Sequence, residues 1–439
     1  MNATTMAQSN MSLGLTKVAR RAQRDPEERL RSLAHLLDED ALARAFGRIR
    51  KGAAVGVDGV TKQKYGEALE VNIQRLRRRM KARKYRHQPI RRVWIPKGRD
   101  KKRPIGISTI EDKIVQGALT ELLGVIYEPV FADSSYGFRP NRRAHDALRV
   151  LDRVLYRGEA SWILEADIQN FFDSIDRKKL AEMLRERIAD ESLMRLIGKC
   201  LHVGVLDGEQ YTTPDEGTAQ GSVLSPMLGN VYLHHVLDAW FEREMQPRLH
   251  GRATLIRYAD DFVIALERQD DARRVMTKLE QRFARYGLTL HPDKTRLVPF
   301  AKPPQGSRGK GPGSIDFLGF TVFWRRSRKG NWVPGFKTRK AKLQSAIERI
   351  AEHCRRHRHD SVKQQHAALS RRLTGHFNYY GVNGNVHSLK KLRFQTIYYW
   401  WKWLNRRSQK KSKTWAQMEA MLQNMPLPRA TVRVQVWCT

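Results

Sequence analysis

Arg257-Tyr258-Ala259-Asp260-Asp261 sits between two apolar runs, Thr254 to Tyr258 and Phe262 to Leu266. Apolar runs of this length on either side of a short polar tip predict a β-hairpin, with two carboxylates at its turn. Adjacent carboxylates repel, and a turn that needed only polarity would be served by Asn-Gly or Asp-Gly. A divalent cation removes the penalty, because Mg²⁺ is held by one or two carboxylates together with phosphate oxygens and waters. A third carboxylate, Asp167, ends the apolar stretch Ser161 to Asp167, which reads as a buried strand. If the strands are neighbours, Asp167, Asp260 and Asp261 converge at one edge. Two Mg²⁺ ions there could activate a 3′-hydroxyl and stabilise a leaving pyrophosphate. Taken alone, Asp260-Asp261 reads equally well as a solvated turn.

Charge narrows the field. Lys and Arg number 82 against 45 Asp and Glu, a formal net charge of +37 over 439 residues. Such a surplus opposes compaction by self-repulsion until a polyanion offsets it, which points to nucleic acid. No apolar run is long enough to span a membrane, so no membrane partner is expected. The three cysteines, Cys200, Cys354 and Cys438, are far apart and unpaired in sequence, which excludes a disulfide framework and a cysteine-rich zinc site. Residues Met1 to Leu15 are polar and lack the apolar core of a signal peptide. A reducing, cytoplasmic setting is expected.

Outward from the hairpin, the pattern predicts a loosely ordered start to about Asp25 and a helix from Pro26 to Ile49, broken near Asp38 to Asp40. It predicts a loop at Gly52 to Gly59, a strand at Arg91 to Pro96 and an apolar helix at Ile114 to Ile126. One basic amphipathic helix is predicted over Arg177 to Leu201, then helices at Val231 to Met245 and Asp270 to Tyr286, with Gly287 closing the latter. Ile315 to Phe323 reads as a strand, and the chain turns helical and very basic from Lys337.

Several segments resemble the reverse transcriptases. Besides Arg257 to Asp261, Ala166-Asp167-Ile168-Gln169-Asn170-Phe171-Phe172-Asp173 resembles the motif that carries their first metal aspartate. Gly217-Thr218-Ala219-Gln220-Gly221-Ser222 resembles their glutamine–glycine motif, with Ala219 and Ser222 in place of the usual Pro and Gly. Phe317-Leu318-Gly319-Phe320 resembles the junction of palm and thumb. Lys51 to Gly59, Tyr136-Gly137-Phe138-Arg139-Pro140 and Leu373 to Gly381 resemble, in turn, the N-terminal extension, a fingers motif and the maturase domain of group II intron reverse transcriptases.

The resemblance implies an α+β right-hand polymerase, with fingers, a palm of antiparallel sheet and a helical thumb. The expected parts are an N-terminal extension over 1–50, fingers and palm over 51–330, and a thumb and maturase domain over 331–439. It implies Asp167, Asp260 and Asp261 as ligands of two Mg²⁺ ions. Lys97 and Arg103 would grip the incoming triphosphate, since ammonium and guanidinium groups neutralise phosphoryl charge. Phe172 would exclude the 2′-hydroxyl, Gln220 would contact the nascent base pair, and Lys294 would lie near the primer end. Lys390, Lys391, Arg393, Lys402, Arg406 and Arg407, interleaved with Tyr398, Tyr399, Trp400, Trp401 and Trp403, read as an RNA-binding surface. The aromatic stripe also reads as helical core, the preferred reading for Tyr399 and Trp403.

The implied function is that of an RNA-directed DNA polymerase that binds group II intron RNA, assists its splicing and copies it into DNA. Its partners would be that RNA, an RNA template with a DNA primer, dNTPs and target DNA. With no cysteine-bearing module after the maturase segment, the type expected is the one lacking an endonuclease. Two rivals share the same residues: a domesticated reverse transcriptase serving repair or defence, and a splicing factor that only binds RNA. A polymerase that makes RNA is disfavoured by Phe172.

Overall fold

The structure is a computed structural model that describes residues 12–97, 101–207, 210–212, 217–218, 221–309, 311–407 and 412–437. The fold is α+β. Its centre is a four-stranded sheet in the order β6-β7-β3-β8, formed by β3 (Trp162–Asp167), β6 (Ala253–Tyr258), β7 (Asp261–Leu266) and β8 (Arg296–Pro299). Every pairing in this sheet is antiparallel.

The sheet is buried on both faces, which explains why Phe262 to Leu266 is an unbroken apolar run rather than an alternating one. Leu164, Leu255, Phe262 and Ile264 face one core, shared with Leu119, Leu184, Leu228 and Phe283 from helices Ile110–Tyr127, Arg177–Arg187, Ser225–Leu233 and Gln269–Arg285. Ile163, Ile256, Val263 and Ala265 face a second core. It is completed by Leu148 and Leu151 of helix Ala144–Tyr156 and by Phe317, Phe320 and Phe336. Those phenylalanines belong to the sheet β11-β10-β9, made of β9 (Ile315–Phe317), β10 (Phe320–Arg326) and β11 (Trp332–Thr338). A third core unites helices Lys340–Arg356, Val362–Tyr380, Val386–Leu404 and Trp415–Asn424 around Leu373, Phe377, Leu392 and Trp400.

The remaining sheet has the order β2-β1-β4-β5, from β1 (Ile90–Lys97), β2 (Lys101–Ile107), β4 (Val205–Asp207) and β5 (Gln210–Thr212). Its β1–β4 pair is parallel. Among the described residues, no helix is long and apolar enough to cross a membrane.

Four local expectations are corrected. Leu13–Arg24 is a helix capped by the Ser12 hydroxyl, so ordered structure begins well before Asp25. The helix expected over Pro26 to Ile49 is confined to Glu39–Arg48, because Asp38 caps it by accepting from the Ala41 N–H at 2.8 Å. The segment Arg177 to Leu201 is two helices. The Asp190 carboxylate ends the run by taking the N–H groups of Ser192, Leu193, Leu33 and Ala34 at 2.6–3.0 Å. Ile315 to Phe323 is two strands, split where Leu318 (φ 52°) and Gly319 (φ 78°) reverse the chain. The helix that begins at Ser225 also passes through two π-helical turns, His234–Asp238 and Phe241–Met245. The chain crosses 330–335 inside the β10–β11 hairpin, and the C-terminal helices start at Lys340.

Candidate active site

Asp167 and Asp261 are cross-strand partners in the β3–β7 register, and Asp260 lies in the two-residue turn that joins β6 to β7. The three carboxylates thus stand at one end of the sheet, between two cavities. One, of about 360 Å³, is lined by Asp167 and Asp260 together with Lys102, Arg103, Phe172 and His291. The other, of about 670 Å³, is lined by Asp167 and Asp261 together with Lys294, Arg339, Lys342, Tyr379 and Tyr380.

The electrostatics are those of crowded negative charge. Burial pushes Asp261 up to about 7, with Asp167, Asp260 and Glu165 adding to the rise. Asp260 is also raised, by burial first and then by Asp167. The Lys294 ammonium forms an ion pair with Asp167, and the Leu318 N–H donates to Asp261 at 3.3 Å. Lys294 therefore touches a candidate metal ligand directly.

A buried network shapes the aspartate turn. Ala259 holds φ 58°, a left-handed conformation that side chains resist. The Arg257 guanidinium donates to both oxygens of Asp238 at 2.6 and 2.5 Å, to the Asn230 side-chain oxygen at 3.0 Å and to the Ala259 carbonyl at 3.1 Å. The segment Ser134 to Tyr136 adds to the edge of β6 through the Arg257 backbone. Gly137 follows, so close to the turn that a Cβ there would meet the Ala259 nitrogen at 2.4 Å. The signal for this network was present in the sequence: Arg257 is a charged residue in an apolar strand. Asp238 and Asn230 carried no comparable mark.

The other expected residues fall as follows. Phe171 is buried, whereas Phe172 is partly exposed and lines the smaller cavity. Arg103 of β2 lines the same cavity. Lys97 ends β1 opposite Lys101, and its side chain lies outside the described residues. Gln220 and Ala219 also lie outside them. Their flanks bridge the site to β2: the Thr218 N–H donates to the Phe172 carbonyl at 2.6 Å, and a Cβ on Gly221 would meet the Gly106 carbonyl at 2.5 Å.

On helix Val386–Leu404, Lys390 and Lys391 are exposed. Arg406 lies over the Trp403 ring at 5.5 Å. Arg393 donates to the Pro428 carbonyl, and Arg407 to the carbonyls of Arg358 and Asp360, so both guanidinium groups tie the helices together. Trp400 is fully buried, Tyr399 and Trp403 pack against the same core, and Tyr398 remains 38% exposed.

A different trio, His250, Asp270 and Asp271, brings one potential ligand atom each within 4.8 Å. Its carboxylates are already engaged: Asp271 accepts from the N–H groups of His250 and Gly251, and Asp270 pairs with Arg268.

The chain belongs to the reverse transcriptase (RNA-dependent DNA polymerase) family, whose profile matches residues 95–322. Its relatives include a group II intron-encoded protein and an intron maturase, so within that family it is a homologue of the group II intron reverse transcriptases/maturases. It is 33% identical over 351 residues to protein YkfC of Escherichia coli K12, covering 72% of this chain and 88% of that one. It is 35% identical over 243 residues to the group II intron-encoded protein LtrA of Lactococcus lactis, covering 54% of this chain and 40% of LtrA. It is 29% identical over 315 residues to a 91 kDa protein in the cob intron of Schizosaccharomyces pombe, covering 60% and 39%. The chain thus spans most of YkfC but about two-fifths of the two intron proteins.

Proposed function

We propose that this chain is an RNA-directed DNA polymerase that binds group II intron RNA, assists its splicing and copies it into DNA. The β1–β2 hairpin and its neighbours serve as fingers, the β6-β7-β3-β8 sheet as palm, and the helices from Lys340 as thumb and RNA-binding surface. The observation that carries the reading is the register pairing of Asp167 with Asp261, beside a turn that bears Asp260 and a cavity that Arg103 and Phe172 share with Asp167 and Asp260.

Mg²⁺ fits this site. The donors are carboxylate oxygens, the hard ligands Mg²⁺ takes alongside phosphate and water. Burial first, and then their mutual repulsion, raises Asp260 and Asp261, and a cation offsets both effects. When bound, Mg²⁺ supplies Lewis-acid polarisation of the reacting phosphate and lowers the pKa of the primer hydroxyl.

The chain's own groups do the rest. Asp167, Asp260 and Asp261 hold the metal. Arg103, and Lys97 with it, neutralises the triphosphate, and Phe172 closes the space a 2′-hydroxyl would occupy. The primer 3′-oxygen then bonds to the α-phosphorus as the bond to the bridging oxygen breaks, and pyrophosphate leaves. The basic, aromatic C-terminal helices hold RNA through phosphate neutralisation and stacking.

The test pairs two assays on one protein. Extension of a DNA primer on an RNA template with dNTPs and Mg²⁺ reads the polymerase. Splicing of a group II intron at low Mg²⁺, with and without protein, reads the maturase role. A wild-type protein inert in the first assay refutes the polymerase reading, and one inert in the second refutes the maturase reading.

A further inference from the structure

Four non-glycine residues with positive φ surround the aspartates: Phe138 (58°), Asn170 (46°), Ala259 (58°) and Leu318 (52°). Backbone strain of this kind persists only where the surroundings impose it, and it gathers at working sites. Three of the four are explained by their bonds. The Ala259 carbonyl accepts from Arg257. The Leu318 N–H donates to Asp261, and its carbonyl accepts from the Tyr379 hydroxyl at 2.9 Å. The Asn170 carbonyl accepts from the N–H groups of Asp173 and Ser174.

Phe138 is different. A bulky residue at this φ is an outlier, and its ring is not core, since the residue stands 56% exposed. The loop beneath it is rigid. The buried Arg139 guanidinium donates to the Glu128 carboxylate at 2.9 Å and to the carbonyls of Ala132 and Ser135 at 2.5 and 2.9 Å. Arg142 pairs with Asp133 at 2.6 Å. The Asn230 side chain donates to the Gly137 carbonyl at 2.7 Å and accepts from Arg257. Gly137 rests against Ala259. Phe138 is thus held next to Gly137, the glycine that packs against Ala259 of the aspartate turn.

We propose that Phe138 is a positioning residue for the primer–template. Its ring packs against the sugar and base edges of the nucleic acid beside the primer 3′ end. The inference rests on the polymerase reading above. A duplex whose 3′ end meets the aspartates has to cross this end of the sheet, and an exposed aromatic there offers a surface that tolerates any sequence. Glycine would satisfy the backbone without strain. The ring is the one thing a phenylalanine adds, and it is presented outward on a fixed support.

Glycine therefore separates the two roles. Phe138→Gly relieves the backbone and removes the ring, Phe138→Ala removes the ring and keeps the strain, and Phe138→Trp keeps an aromatic ring. Full-length variants are compared by primer extension on an RNA template, with KM for primer–template and kcat read separately, and by thermal midpoint. The expected result is a rise of about tenfold in KM for Phe138→Gly and Phe138→Ala, within the range of one aromatic–base contact. The midpoint of Phe138→Gly stays at or above wild type, and Phe138→Trp stays close to wild type in KM. A Phe138→Gly protein that extends with wild-type KM overturns the proposal, and a role in binding a partner protein would give that result. A wild-type protein that extends nothing refutes the polymerase reading instead.

Discussion

The guanidinium of Arg257 and the carboxylate of Asp238 meet in a doubly hydrogen-bonded pair at 2.6 and 2.5 Å, with neither side chain reached by solvent. Arg257 belongs to the strand that leads into the aspartate turn, and Asp238 to a π-helical turn behind it. Removing one partner strands a buried charge, which costs about 3–5 kcal/mol. Asp238→Asn and Arg257→Met should each lose about that much in chemical denaturation. The double variant Arg257→Met, Asp238→Leu should recover most of it, because a well-packed apolar pair replaces buried ions at little cost. Primer extension should stay low in the double variant, since the bond to the Ala259 carbonyl is gone. Wild-type extension by the double variant would show that the pair stabilises the fold without shaping the turn.

Asp261→Asn should separate stability from activity. Asp261 is raised to about 7 in the folded chain, above its ordinary carboxylate value. The folded state therefore binds the extra proton, and wild-type stability falls as pH rises toward 7. The Asn variant lacks that loss. Above pH 7 it should be more stable than metal-free wild type, on the order of 1–2 kcal/mol after solvent screening. It should extend no primer and gain no thermal midpoint from Mg²⁺, while its RNA affinity changes about twofold or less. Near wild-type extension by this variant would remove Asp261 from the catalytic set.

Phe172→Ala should raise the ratio of ribonucleotide to deoxynucleotide incorporation by about tenfold or more, the scale of discrimination a pocket wall provides. Both rings line the cavity with Asp260, but Phe172 is half-buried whereas Phe171 is buried in the core. Phe171→Ala should instead lower stability and leave the ratio alone. The two variants exchanging effects would move the gate to Phe171.

Acid should weaken the fold through a histidine pair. Burial lowers His234 to about 3 and His235 to about 4, with nearby arginines adding to the effect. Both are neutral in the folded chain and take up a proton on unfolding at acid pH. Their contribution is present above pH 6.5 and is lost as pH falls toward 4, with a slope of up to about 1.4 kcal/mol per pH unit for each. Thermal midpoints measured from pH 7 to pH 4 should fall less steeply for the His234→Gln, His235→Gln double variant. An unchanged slope would place acid sensitivity elsewhere.

Much of the centre was legible in the sequence because its signals are local. The Tyr258 to Asp261 turn, the apolar strands beside it and the strand that ends at Asp167 follow from side-chain pattern alone, and their pairing brings the carboxylates into register. Three of the misreadings have one kind of cause, single residues that punctuate periodic runs. Asp38 and Asp190 each start a new helix by capturing its first N–H groups, and Leu318 reverses a strand through its own backbone angle. The partner of Arg257 was not legible for another reason. The two residues are 19 apart in the chain and meet only through the packing of helix on sheet.

The π-helical turn at His234–Asp238 sets the phase of the helix that carries Asp238. A regular α-helix advances about 100° per residue, so each residue inserted or lost swings everything beyond it to a new bearing. A π turn is the mark of one extra residue absorbed without breaking the rod. Deleting one residue from that turn would leave composition and helix length almost untouched. It would turn Asp238 about a quarter of the way round its axis, away from Arg257. Outside Asp238 itself, the effect of substitution in this segment and the effect of a change in its length are therefore separate properties. In lineages that share the fold, drift there should run through exchanges of residues rather than gaps.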